Sequence, residues 1–377
     1  MAEVRVSVIV PVYNAEDTIR DCLDDITGQT LRETEIICVD DGSSDGSVSV
    51  IEEYRQKDGR IRIIRQENQG AGAARNTGMK EAQGKYLCFL DADDRFEPEM
   101  LEEAWKRCCE TGADACVWSA DCFDAGTGEI QAYTSAFDKR YIPQANPFDP
   151  ASDEAHETIF QMFNGVPWNK LFSRELVSRT GLQFQTQRTT NDAFFVYSAL
   201  CRARRIVTLD KVLVHRRKNV ANSLTQTREK SWKCFFDALT AIRDRLEQDG
   251  IYGRFERSYM NRALQNVLWN METISLPAAK QMEAFLKEKG FEELRFDRYD
   301  AEFYYGRMYE RYQWLKEMDP GSYRTALTIA KERDLLREEV ERLRNRLCCR
   351  VIDRAAAVIR RLKPGYREIK PGDPDSE

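Results

Sequence analysis

Two rhythms of apolar and polar residues alternate over the first third of the chain. Residues 4–10 (VRVSVIV) read as a buried strand. Asn14 then reads as a helix cap with Asp17 three residues on, and Ile19, Cys22, Leu23 and Ile26 recur at i, i+3, i+4 and i+7 until Gly28 stops the helix. A second strand is predicted over 35–41 (EIICVDD), followed by the turn DGSSDGS and a helix carrying Val48, Ile51 and Tyr54. The series continues with a strand over 60–66, a helix opening at GAGAAR (70–75) and a strand over 85–90. A helix over 98–111, with Leu101, Ala104, Trp105 and Cys108 on one face, and a strand over 114–120 complete it. Strands alternating with helices of this length imply βαβ units, hence an α/β fold with a mostly parallel sheet flanked by helices.

From about 121 to 165 the rhythm is lost, and GTGE and IPQANPFDP mark an irregular loop region over the ligand-binding edge. VPWNKLFSRELV predicts a turn and a short helix, TTNDAFFVYSALCRA a helix starting near Asn191, and RIVTLDKVLVHRRK a strand pair. Beyond 228 the pattern is helical, with helices at 230–247, 254–274 and 278–289 and a last one from 324. The domain division that follows is 1–225, a helical C-terminal extension over 226–322, and a long basic, amphipathic, coiled-coil-like helix with a disordered tail over 323–377. In that last segment Ile329, Leu336, Val340, Leu343 and Leu347 approximate an a/d seam flanked by Glu and Arg. Leu347, Val351, Ala355, Val358 and Leu362 line one side of a basic stretch. Such a helix is suited to peripheral contact with an anionic membrane, to self-association, or to packing on the protein itself.

Within this frame the stretch YLCFLDADDRF (86–96) is a chemical anomaly. Asp91, Asp93 and Asp94 follow a buried strand, where like charges repel and desolvation costs several kcal/mol unless something positive compensates. A divalent cation is the economical answer. Parallel sheets bind ligands beyond the carboxyl ends of their strands. Tyr13 and Asn14, Asp40 and Asp41, and Asp91 and Asp93 follow three such strands, which points to a nucleotide site. GAGAAR is no dinucleotide fingerprint: it lacks the third glycine, follows the third strand, and has no acidic residue at the required distance.

Composition narrows the partners. The chain has 377 residues, 42% hydrophobic and 32% charged, with a net charge of −6, which argues against nucleic acid as the main partner. Eleven cysteines without framework spacing, including the adjacent pairs Cys108/Cys109 and Cys348/Cys349, read as reduced thiols of a cytoplasmic protein. Two histidines, His156 and His215, exclude a multi-histidine zinc site. The sequence shows neither a signal peptide nor the run of about 20 apolar residues that spans a bilayer. A cytoplasmic location is expected, with peripheral attachment to the inner membrane face through the last helix.

Taken in order, SVIVPVYN, ICVDDGSSDGS, NQGAGAARNTGMKEAQGKYLCFLDADD, WNKLF and NDAFF resemble the family 2 inverting glycosyltransferases with the GT-A fold, over about residues 4–225. The resemblance implies transfer of a sugar from a nucleoside diphosphate donor, UDP favoured, to a hydroxyl of a saccharide or lipid-linked saccharide in surface or capsular polysaccharide synthesis. It implies a donor site of Pro11, Tyr13, Asn14, Asp40, Asp41, Arg75 and Asp91. Tyr13 would stack on the base, Asp41 accept its ring N–H, Asp40 order the turn, and Arg75 meet the diphosphate as a fork of donors. Asp91-Ala92-Asp93 is similar to the family's D-x-D motif. Asp93 would bind Mg²⁺ or Mn²⁺ directly, and Asp91 the ribose or a metal-bound water. Asp192 would be the general base. Family members often carry an acid just before this aspartate, where this chain has Asn191, a difference that bears on acceptor contacts or on orienting the base. Trp168 and Asn169 resemble acceptor-side residues, and His215 or Arg216 lies where the family places a group near the diphosphate or metal.

Two rival readings stand beside this one. A sugar nucleotidyltransferase should carry a glycine-rich signature with Arg and Lys just after the first strand, and VPVYNAED has neither. A catalytically idle nucleotide-sugar binder or scaffold is opposed by Asp91, Asp93 and Asp192, while Asn191 leaves it open.

Overall fold

Seven elements alternate from the N-terminus in this computed structural model, which describes residues 3–218 and 227–362, with side chains as far as 344. They are β1 (Val6–Val12), α1 (Ile19–Thr27), β2 (Thr34–Asp40), α2 (Ser47–Lys57), β3 (Ile61–Arg65), α3 (Ala71–Glu81) and β4 (Tyr86–Phe89). β1 pairs in parallel with β2 on one side and β4 on the other, with Val12 opposite Asp40 and Ile9 opposite Phe89. All seven residues of β2 are buried, as expected of a strand covered on both faces. Because the three strands run the same way, their carboxyl ends share one edge, and that edge carries the candidate site.

The chain then forms β5 (Arg95–Phe96), α4 (Met100–Thr111), β6 (Ala115–Asp124), β7 (Ile130–Ala132), α5 (Ile159–Met162), β8 (Lys170–Ser173), α6 (Arg174–Thr180), α7 (Ala193–Arg202) and β9 (Ile206–Lys218). The sheet order is β3-β2-β1-β4-β8-β6-β9-β5, with β7 paired to β6. β8 runs against both β4 and β6, so the sheet is parallel on one side and mixed on the other.

Four local expectations are corrected. VPWNKLFSRELV contains the strand β8, not only a turn and a helix; its four residues are all buried, and so short a run carries no alternation. RIVTLDKVLVHRRK is one strand rather than a pair: the register shifts from Leu209 opposite Trp118 to Val212 opposite Ser119, so the polar Asp210-Lys211 is absorbed as a bulge instead of a turn. The region 121–165 is less irregular than expected, since β6 continues to Asp124 and turns back as β7. Asn14 does not cap α1, whose cap position is Thr18. It adopts a left-handed φ of 47° and ties the end of β1 to the β2–α2 turn, accepting from Ser44 N at 2.8 Å and donating its N–H to Ser43 Oγ at 3.0 Å.

The helical region holds α8 (Lys233–Gln248), α9 (Tyr252–Thr273), α10 (Leu276–Phe285), α11 (Phe291–Leu294) and α12 (Met308–Glu317), the last two without a counterpart in the periodicity. The chain divides into two units, Met1–Lys316 and Glu317–Glu377, and the second contains α13 (Pro320–Leu362). Residues 219–226, where the 225/226 boundary was expected, lie outside the described residues, as do the side chains of Leu347, Val351, Ala355, Val358 and Leu362 and the whole of 363–377. Among the described residues no helix is long and apolar enough to cross a membrane.

Candidate functional site

The loop after β4 gathers three carboxylates. One oxygen each from Asp91, Asp93 and Asp94 lies within 4.8 Å of the others. Asp94 is buried and accepts Arg217 N at 3.0 Å, while the Arg217 guanidinium donates to Asp93 O at 3.0 Å and to Asp21 at 2.9 Å. Burial, with Asp91 alongside, pushes the Asp93 carboxyl up to about 6; Asp94, deeper still, is pushed well above the ordinary carboxylate range by burial and then by Asp93 and Asp91. Three hard oxygen donors this close, with their charge incompletely offset, suit Mg²⁺ or Mn²⁺, ions held by carboxylates together with substrate phosphates. Arg216 on β9 lies over the Tyr133 ring at 5.6 Å and feels the charge of Asp94 and Asp91.

Along the same edge Tyr13 stands 54% exposed at the end of β1. Pro11 sits opposite Val39 in the ladder. Asp40 is buried and accepts Ser43 N at 3.1 Å across the turn after β2. Asp41, also buried, accepts from Gln66 Nε2 at 2.7 Å, Gln69 N at 2.9 Å and Gly70 N at 2.7 Å. It thereby fastens the end of β2 to the start of α3.

Two glycines of α3, Gly72 and Gly78, make it a close neighbour of two other elements. A Cβ on Gly78 would lie 2.6 Å from Ile9 Cγ2 on β1. One on Gly72 would lie 2.0 Å from Gln185 O and 3.2 Å from Asn191 Cβ, so the loop that carries Asn191 can rest here only on a glycine. The contact puts Arg75, also on α3 and buried, within reach of both flanks of the site. Its guanidinium donates to Asp91 Oδ1 at 2.6 Å and to Asn191 Oδ1 at 3.0 Å. The fork that sequence reasoning aims at a diphosphate thus joins the acidic loop to the loop before α7.

Asp192 occupies the N-cap position of α7 and is half-buried; its carboxylate makes no capping hydrogen bond deeper in the helix, and its backbone contacts are with its own N–H and that of Ala193. Burial raises its pKa, Arg75 opposes that rise and Asp91 adds to it. The remaining candidates each have protein partners. Trp168 is buried and stacks on Tyr133 at 5.9 Å, and Asn169 is fully buried, donating to Trp118 O at 2.8 Å and Ala136 O at 3.2 Å. His215 bonds Asp121 through Nδ1 at 2.8 Å and Glu97 through Nε2 at 2.9 Å; burial alone would lower its pKa, but the two carboxylates outweigh it.

Sequence reasoning missed Lys170. Its side chain is fully buried, and Nζ donates to Asn169 Oδ1 at 2.7 Å, Val166 O at 2.8 Å and Asn164 O at 3.2 Å. Those bonds hold the 164–166 turn, which abuts the first turn of α7: a Cβ on Gly165 would lie 3.0 Å from Ala193 Cα. The signal was available in WNKLF, a lysine inside an apolar run. Burial lowers the Lys170 pKa to about 7, with Asp192 acting the other way. The unfolded chain therefore binds more protons than the folded one between about pH 7 and the ordinary lysine value, and stability contributed by this residue rises with pH across that window. Urea unfolding at pH 6 and pH 9 should show Lys170→Met losing this gain, while leaving its former carbonyl partners unpaired at about 1–3 kcal/mol each. An unchanged difference between the two pH values would rule out a buried, titrating Lys170.

Residues 7–181 match the family model for glycosyl transferase family 2. The chain is 38% identical over 232 residues to EpsJ of Bacillus subtilis strain 168, named an uncharacterized glycosyltransferase, an alignment covering 59% of this chain and 63% of EpsJ. It is 32% identical over 234 residues to EpsH of the same organism, covering 60% of this chain and 64% of EpsH. It thus spans less than two thirds of the length of either relative. In fold it is similar to residues 1–349 of S. aureus TarS, solved in complex with UDP-GlcNAc, at a TM-score of 0.66 and 21% identity over 87% of this chain and 92% of that one.

Proposed function

We propose, from the match of residues 7–181 to the glycosyl transferase family 2 model, that the chain transfers a sugar from a UDP-sugar to a saccharide hydroxyl, with a divalent cation and with inversion. The observation that carries this reading is the shared edge of β1, β2 and β4. That edge carries the exposed Tyr13 ring and the three-carboxylate cluster, and Arg75 ties Asp91 of the cluster to Asn191, the neighbour of Asp192.

Tyr13 offers its ring to the nucleobase. Asp41 has about four acceptor sites as a carboxylate, three of them filled by the α3 loop, which leaves room for the N3–H of uracil. Pro11, Asn14 and Asp40 shape the turns around that base. Asp93 and Asp91, backed by Asp94, would hold Mg²⁺ or Mn²⁺. Bound there, the ion supplies Lewis-acid neutralisation of the departing diphosphate. Arg75 acts by position, keeping Asp91 and the loop before α7 in fixed relation, and Arg216 adds positive charge beside the carboxylates.

Asp192 takes the proton of the acceptor hydroxyl as that oxygen attacks the anomeric carbon. The bond from that carbon to the diphosphate oxygen breaks, and UDP departs with the electron pair. One base suffices for this single displacement, whereas retention through a covalent intermediate needs a nucleophile as well. The neutral Asn191 leaves the Arg75 charge less fully balanced than an acid would, which favours an ionised Asp192. TarS, alike in fold, is solved with UDP-GlcNAc, which supports a UDP-sugar donor. We take a saccharide or lipid-linked saccharide of a surface polysaccharide as acceptor, with 1–225 as the transferase domain.

UDP release from a panel of UDP-hexoses and UDP-N-acetylhexosamines, with Mn²⁺ and after chelation, tests the proposal. Release with at least one donor, abolished by chelation, is expected. No release from any donor, with UDP still bound, would leave an idle nucleotide-sugar binder as the better account.

A further inference from the structure

We propose that α13 pairs in parallel with the same helix of a second copy of this chain, through a seam running from Ile329 to Leu343. From residue 331 to 344 every side chain except that of Asp334 is exposed, although helices in proteins draw most of their stability from packing of an apolar face. Yet this stretch turns large apolar groups to solvent: Leu336 is 67% exposed, Val340 51% and Leu343 47%, with Ile329 at 61% two turns earlier. Their spacing assigns Ile329, Leu336 and Leu343 to d positions and Val340 to an a position, with Leu347 the next a in the sequence. A β-branched residue at a with leucine at d favours two parallel strands. Arg333 occupies the remaining a position, where a polar residue sets register and strand number at some cost in stability.

Charge selects the occupant and its direction. Glu332 and Glu339 fall at g, and Arg337 and Arg344 at e. In a parallel pair each g residue faces the e residue of the following heptad across the seam, so Glu332 meets the partner's Arg337 and Glu339 meets the partner's Arg344. In an antiparallel pair g faces g and e faces e, which sets glutamate on glutamate and arginine on arginine. A membrane surface is a poorer occupant, because residues 329–344 carry five basic and five acidic side chains and no net attraction to anionic lipid.

Sedimentation equilibrium of the full chain over about 1–100 μM tests this without reference to transfer activity. The mass should rise from 43.8 kDa toward twice that value with concentration. Leu336→Lys with Leu343→Lys should hold it at one copy. Glu332→Arg with Glu339→Arg should also abolish pairing, as should Arg337→Glu with Arg344→Glu, and an equimolar mixture of these two charge variants should restore it. All four charge sites are exposed, so their loss of pairing is not a loss of folding. A one-copy mass throughout, a three-copy mass, or failure of the mixture to pair would overturn the proposal. So would a one-copy wild type that floats with phosphatidylglycerol vesicles through the same leucines, which would make the face a membrane contact.

Discussion

Asp192→Asn is expected to slow sugar transfer by about a hundred- to ten-thousand-fold while leaving UDP affinity unchanged. The substitution preserves shape and removes only the basic oxygen. The Asp192 side chain makes no capping bond to α7, and its contacts with its own N–H and that of Ala193 are ones an amide oxygen can keep, so the melting temperature should hold. The wild-type rate should also report the site's environment. Burial raises this carboxyl against the pull of Arg75, so activity should be full above the raised pKa and decline as pH falls through it, at a midpoint higher than that of an ordinary aspartate. Steady-state rates from pH 4 to 8 measure both effects. Transfer by the Asn variant at the wild-type rate would remove Asp192 from the chemistry.

Asp93→Asn should cost at least as much, by a different route. With Asp91 engaged by Arg75 and Asp94 buried and bonded to Arg217 N, Asp93 is the member of the cluster best able to meet both an ion and a phosphate. Several kcal/mol of charge stabilisation at the leaving group corresponds to a rate loss of about a thousandfold or more. Calorimetry should show UDP affinity in the presence of Mn²⁺ falling to the level that the wild type shows in chelator. The variant should melt no lower than the wild type without metal, since it removes a charge that both burial and Asp91 disfavour. If Mn²⁺ still strengthened UDP binding to the variant, Asp93 would not be the ligand.

Parts of this site were legible because their cause is local. Buried parallel strands read as unbroken apolar runs, so β1, β2 and β4 and the polar residues after them stand out from a single sequence. Three acids in four positions after such a run are equally plain. What hid were relations across the chain. Arg75 and Asn191 are 116 residues apart, and nothing near either predicts that Gly72 lets the Asn191 loop rest on α3. β8 is four buried residues with no periodicity, and β9 carries two charged residues at a bulge that look like a turn. Lys170 was overlooked because a lysine normally signals a surface; only the carbonyls of the 164–166 turn explain its burial.

One measurement bears most directly on the carboxylate cluster: diffraction from crystals grown with UDP and Mn²⁺, recorded at the manganese absorption edge. A single anomalous peak within coordinating distance of the Asp93 carboxylate and of the UDP phosphates, with the uracil against Tyr13, is the predicted result. Manganese found away from Asp91, Asp93 and Asp94, or UDP seated with no ion between its phosphates and Asp93, would contradict the account.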